Sequence, residues 1–134
     1  NDISTADVVL VGVSRTSKTP TCVYLANRGV KAANVPIVPE VPLPQELFHP
    51  DAPMIVGLTV SSDRLVQVRR NRLATMKETR VTSYADEEAV RAEILHANKV
   101  FEREGWPVID VSRRSVEETA AVVLNFIAER ARSV

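Results

Sequence analysis

The apolar run Val8-Val9-Leu10-Val11 passes directly into Gly12-Val13-Ser14-Arg15-Thr16-Ser17-Lys18-Thr19, and this junction constrains the chain more than any other stretch. A continuous, largely β-branched run suits a strand buried on both faces of a parallel sheet. Gly12 lets the chain leave that strand sharply. From about Lys18 to Arg28 the sequence reads as helix, with Pro20 in the first turn and Gly29 as the stop. Strand, glycine-led loop and helix start, in that order, form the setting of a phosphate-binding loop. Its amides and the positive end of the helix can surround a phosphate. In that reading Lys18 places its ammonium on a phosphate oxygen, and the Thr19 hydroxyl ligates magnesium. Ser17 stands where the pattern G-x-x-x-x-G-K-[ST] has its second glycine, so the position must reach its backbone angles with a side chain present. An ordinary helix cap after a strand is the alternative for the same residues.

The remainder reads as three more strands and three more helices. The run Val35 to Val38 contains Pro36, which cannot donate to a ladder, and is therefore expected at the sheet edge. Six of the eight prolines fall between 36 and 53, which predicts an extended, rigid surface connection; a plain spacer fits the same composition. Met54 to Val60 is a strand candidate, and Ser62 is expected to cap a helix reaching about Thr75. Val90, Ile94, Ala97 and Phe101 share one face of a helix between Asp86 and Glu104, which Gly105 ends. Pro107 to Val111 is the fourth strand. Ser115-Val116-Glu117-Glu118 has the form of a capping box, opening a helix that turns Val116, Ala120, Val123 and Ile127 inward and closes on Arg130 and Arg132. Alternating strands and helices predict one α/β domain over residues 1–134, with three layers and a mainly parallel sheet.

The 17 basic and 17 acidic residues cancel, so no global field draws the chain to nucleic acid or to an anionic membrane, and an anion site must be local. One cysteine, Cys22, excludes an internal disulfide and suits a reducing cytoplasm; with two scattered histidines it offers no metal-ligand spacing. No apolar run approaches the ~20 residues of a membrane helix, and the start carries no signal segment. A chain that opens on Asn1 is expected to have lost something upstream. One local anion site is offered by Arg64, Arg69, Arg70, Arg72, Lys77 and Arg80, with Glu78 opposing. Arg69 and Arg72, three apart, can point together as a phosphate clamp; a solvated helix face is the alternative. Asp63, just beyond the third strand, is a candidate base or magnesium ligand, against the plainer reading of a first-turn acid. Asp7 and Asp110 are weaker candidates. His49 and His96 read as a loop and a helix-surface residue, and Cys22 as packing.

Several stretches carry a resemblance. Ala6 to Pro44 reads A-D-V-V-L-V-G-V-S-R-T-S-K-T-P-T, then Y-L-A-N-R-G-V-K-A-A-N-V-P-I-V-P and V-P-L-P; I-V-G-L-T and D-R-L-V-Q-V-R-x-N-R-L follow; W-P-V-I-D-V-S-R-R-S-V-E-E-T-A closes the series. Over nearly its whole length the chain thus resembles the pyruvate, phosphate dikinase regulatory proteins and their close relatives, the phosphoenolpyruvate synthase regulatory proteins. V-P-x-V-P-L-P and R-R-S-x-E-E-T favour the dikinase branch. The resemblance implies a P-loop kinase-like domain of a bifunctional, cytoplasmic serine/threonine kinase and phosphorylase. Such a protein uses ADP to phosphorylate a threonine of the dikinase, and inorganic phosphate to remove that group as pyrophosphate. It places the ADP-binding loop at Gly12 through Thr19, makes Lys18 the main phosphate contact, and accepts serine at Ser17. It also implies a further N-terminal domain of comparable size, so the chain is expected to be the C-terminal part of a two-domain protein; a homodimer is compatible with it. The rival readings are phosphoenolpyruvate synthase as the target, an ATP-dependent small-metabolite kinase, and a nucleotide-binding module without chemistry.

Overall fold

Four parallel strands, β1 (Val8–Gly12), β2 (Ala32–Pro36), β3 (Met54–Thr59) and β4 (Val108–Asp110), form one sheet in the order β2-β1-β3-β4. The coordinates are a computed structural model that describes residues 3–13, 16, 18–49, 52–75 and 87–132, without the side chains of Ser4, residues 69–75, Glu87, Ala131 and Arg132. β1 lies inside the sheet, with Val8 facing Ala32 on one side and Met54 on the other. All its residues are buried, as an uninterrupted apolar run requires. Alternation divides them between two cores. Val8 and Leu10 pack with Leu25, Val56, Leu58, Ala120 and Val123, under α1 (Lys18–Asn27) and α4 (Val116–Arg132). Val9 and Val11 pack with Val35, Ile55, Leu65, Val90 and Phe101, under α2 (Ser62–Thr75) and α3 (Glu87–Glu104). The result is the expected three-layer α/β arrangement, with the sheet all parallel.

The helix ends follow the chemistry of their residues. After α1, Gly29 adopts φ 79°, while its amide donates to the Ala26 carbonyl and that of Val30 to Leu25. Gly105 closes α3 in the same way at φ 70°, with Trp106 N bonded to the Phe101 carbonyl. Both are Schellman motifs, in which left-handed glycine satisfies the last carbonyls. Ser115 and Glu118 form the expected capping box: the Glu118 amide donates to Ser115 Oγ at 3.1 Å, and the Ser115 amide to Glu118 Oε1 at 3.0 Å. The start of α2 differs from expectation by one residue. Ser62 is already helical, and the cap is Ser61, whose Oγ accepts from the Arg64 amide at 3.3 Å.

β2 is an edge strand, as Pro36 demanded, but begins at Ala32 rather than Val35. Pro36 ends it, where its missing N–H interrupts no ladder, and the next amide, Ile37 N, bonds the Gly12 carbonyl at 2.9 Å. β2 and β3 flank β1 in parallel, so the proline-rich connection makes the crossover that a helix usually makes. It is not extended throughout: a 3₁₀ turn at Gln45–Phe48 buries Leu47 in the α2/α3 core, and Phe48 stacks on Trp106 at 5.9 Å. Apolar side chains in the turn tie the segment down, which composition alone does not reveal.

Gly57 of β3 has a defined task. A β-carbon there would stand 2.8 Å from the Phe101 ring, so the missing side chain is what allows α3 to lay its largest buried residue on the sheet. Gly57→Ala should lower stability by ~1–3 kcal/mol through overpacking, read as a fall in the urea midpoint at unchanged slope. An unchanged midpoint would mean that the ring has room to move.

Candidate functional site

The sheet order reverses beside β1: α1 leads to β2 on one side, while the proline-rich connection leads to β3 on the other. Open α/β sheets bind ligands at such a point, beyond the carboxyl ends of the strands. A cavity of about 400 Å³ lies there. Its polar walls are Lys18 and Thr19 of α1, Asn34 of β2, Arg64 of α2 and Arg114 beyond β4; Val60, Leu65, Val68 and Val111 supply an apolar side.

The loop leaving β1 is held from within. Lys18 is only 7% exposed, and its ammonium donates to the Val13 carbonyl at 2.6 Å and to Thr16 Oγ1 at 3.2 Å. The buried Thr16 hydroxyl donates to the same carbonyl at 2.8 Å. A buried ammonium is tolerable because these oxygens replace its hydration, and a phosphate oxygen can take over the same bonds. Gly12 is needed here for space. A β-carbon on it would lie 2.7 Å from the Leu58 carbonyl and 3.0 Å from Thr16 Oγ1. Its φ is not positive, so close approach to β3, rather than a sharp exit from β1, explains the glycine. Thr19 Oγ1 accepts from Asn34 Nδ2 at 3.2 Å, which orients the hydroxyl and leaves oxygen lone-pair capacity for a metal.

Of the loop residues singled out by sequence, Lys18 and Thr19 line the cavity, Val13 and Thr16 hold the Lys18 ammonium, Gly12 packs against β3, and Ser14, Arg15 and Ser17 lie outside the described residues. Asp63 is exposed in the first turn of α2 and is not among the cavity-lining residues. The Arg69 and Arg72 side chains lie outside the described residues, as do those of Arg70, Lys77 and Arg80. Arg64, whose side chain is described, reaches the cavity wall. Asn34 and Arg114 are not singled out by sequence, since one lies in an edge strand and the other in a turn some eighty residues further on. Their only signal was membership of the A-N-V-P and R-R-S stretches.

Lys18, Arg64 and Arg114 supply three cationic side chains, and no carboxylate lines the cavity among the described residues. A chain with no net charge thus concentrates positive charge at one sheet edge, which suits a phosphate-bearing ligand. No group of three or more His, Cys, Asp or Glu fit to hold a metal occurs among the described residues. The Thr19 hydroxyl is the described group here that could hold a magnesium ion, in which case a bound phosphate and water would have to supply the other ligands.

Residues 1–124 match the kinase/pyrophosphorylase family. The chain is 62% identical over 127 residues to a protein of Caulobacter vibrioides named as a pyruvate, phosphate dikinase regulatory protein, covering 95% of this chain and 40% of that protein. Proteins of the same name from Hyphomonas neptunium and Sphingopyxis alaskensis are 62% and 60% identical, covering 93% and 94% of this chain and 45% and 47% of theirs. The chain thus spans less than half the length of these curated relatives.

Cys22, one turn along α1 from Lys18, offers a reporter of the cavity. Burial raises its thiol pKa, and the Lys18 ammonium partly opposes that. An anion neutralising Lys18 removes the opposing effect and lowers the thiolate fraction. Alkylation of Cys22 should therefore slow in saturating ADP, and slow likewise in Lys18→Met. A rate indifferent to both would separate the cysteine from the site.

Proposed function

The chain belongs to the kinase/pyrophosphorylase family, and on that premise we propose that it is the nucleotide-binding, P-loop part of a bifunctional regulator of pyruvate, phosphate dikinase. In the inactivating direction a threonine hydroxyl of the dikinase attacks the terminal phosphorus of ADP, the bond to the bridging oxygen breaks, and AMP leaves. In the activating direction an oxygen of inorganic phosphate attacks the phosphothreonine phosphorus, and pyrophosphate departs from the restored hydroxyl. One anion cradle serves both, holding the ADP phosphates in one direction and the attacking phosphate in the other.

The observation that carries this reading is the cavity at the carboxyl edge, with Lys18, Arg64 and Arg114 on its walls and no carboxylate among the described lining residues. Phosphoryl transfer asks a protein mainly to position phosphates and to neutralise developing charge. Lys18 is already bonded within the loop, so it meets a phosphate as a pre-oriented group. Thr19 and the phosphate oxygens hold magnesium, which supplies further charge neutralisation when bound. The names carried by the relatives in Caulobacter, Hyphomonas and Sphingopyxis support the dikinase as target. Because the chain spans less than half of their length, the other half is assigned to docking of the dikinase, in a cytoplasmic protein. No described helix is long and apolar enough to cross a membrane.

Lys18→Ala should abolish calorimetric binding of magnesium ADP by this chain, and in the full-length protein should depress both directions together, each by ~10²-fold or more. Survival of one direction at saturating substrates would require two separate phosphate sites. Preference for ATP and a small acceptor over ADP and the dikinase would instead identify a metabolite kinase.

A further inference from the structure

Beside the cationic cavity lies a second one of about 560 Å³, lined by Ser61, Asp110, Ser112, Arg113, Arg114 and Glu118. The two share Arg114. Their charge differs in kind. The first carries three cationic side chains and no carboxylate among its described lining residues, whereas the second balances two arginines against two carboxylates and adds two hydroxyls. An anion gains little from the second lining, while a neutral hydroxyl-bearing segment finds both donors and acceptors there.

The second cavity is also built, not incidental. The Ser61 amide donates to Ser112 Oγ at 2.8 Å, which ties the end of β3 to the turn after β4. The Ser112 amide donates to Asp110 Oδ1 at 2.9 Å. Arg114 Nε donates to the Asp110 carbonyl at 3.1 Å, so the stem of the guanidinium is fixed at the boundary of the two spaces. Glu118 is engaged by the Ser115 amide in the α4 cap. Asp110 is the exposed carboxylate at the carboxyl end of β4. Hydrogen bonds from Ser112, then the nearby Arg114 and Arg113, hold its carboxyl below its ordinary range, so it is ionised at neutral pH and able to accept a hydrogen bond.

Resting on the phosphotransfer reading above, we propose that this second cavity is the acceptor subsite, that Asp110 receives the acceptor hydroxyl, and that Arg114 stands over the phosphoryl group passing between the cavities. The acceptor is a serine- or threonine-type hydroxyl on a protein segment. Its oxygen forms the new bond to the terminal phosphorus of the nucleoside diphosphate in the first cavity. The bond from that phosphorus to its bridging oxygen breaks, the electron pair leaves with the nucleoside monophosphate, and the hydroxyl proton passes to the Asp110 carboxylate. Arg114, reaching both spaces, meets the charge that develops on the transferring group. Asp63, outside both linings, takes no part.

The test uses the full-length protein, with ADP as donor and the protein acceptor as substrate. Asp110→Asn keeps an oxygen for the Ser112 amide but cannot take a proton; its affinity for ADP should be unchanged while kcat for transfer falls ~10²-fold or more. Ser112→Ala removes the hydroxyl that does most to lower the Asp110 pKa, with Arg113, Arg114 and Glu118 still facing it. The acidic limb of the kcat–pH profile should therefore move to higher pH, and this variant carries the test if Asp110→Asn does not fold. Wild-type kcat in Asp110→Asn, lost ADP binding in that variant, or an unmoved limb in Ser112→Ala would each overturn the acceptor assignment while the functional reading stands. Wild-type protein that binds no ADP would sink the functional reading and this assignment together.

Discussion

The carboxyl edge of the sheet depends on how closely Gly12 approaches the carbonyl of Leu58. A side chain on Gly12 would lie 2.7 Å from that oxygen, and separation of β1 from β3 would disturb the strand pair at the switch point. With Gly12 in place, the Thr16 hydroxyl folds back to the Val13 carbonyl, and the same carbonyl receives Lys18. One backbone oxygen thereby organises a hydroxyl and a buried ammonium. These bonds meet the donor demands of Thr16 and Lys18 locally, which limits the cost of burying them.

A second consequence concerns charge. The chain has equal numbers of acidic and basic residues, so its field at a distance is weak. Parallel strands deliver every strand-to-helix junction to one edge, and that topology collects Lys18 after β1, Arg64 after β3 and Arg114 after β4 around one space. Asp110 and Glu118 line the second space, which shares Arg114 with the first. A neutral protein can thus present a cationic pocket beside a charge-balanced one, with Arg114 common to both linings. The arrangement suits chemistry in which an anion is held on one side and a neutral nucleophile approaches from the other.

Much of the fold was legible because its signals are local. The run Val8 to Val11 encodes double-sided burial, Gly29 and Gly105 encode helix stops, and Ser115 with Glu118 encodes a cap, each needing only neighbours in sequence. The misplacements have equally local causes. Ser61 and Ser62 both carry cap chemistry, so the choice rests on which residue keeps non-helical angles. The start of β2 at Ala32 rests on pairing with Val8, across the sheet. The proline-rich crossover read as extended because its anchor, Phe48 on Trp106, joins residues far apart in the chain.

The sequence by itself determined the class of fold and the strand–glycine–helix junction that carries Lys18 and Thr19, since a strand, a glycine and a helix start within a dozen residues specify it. It also carried the family, through motifs spread over most of the chain. Tertiary structure alone decided which distant side chains join them. Asn34 reaches Thr19 because β2 pairs in register beside β1, and Arg114 enters because β4 ends level with β3. Strand order and register are properties of the whole sheet, and no local pattern encodes which junctions they bring together.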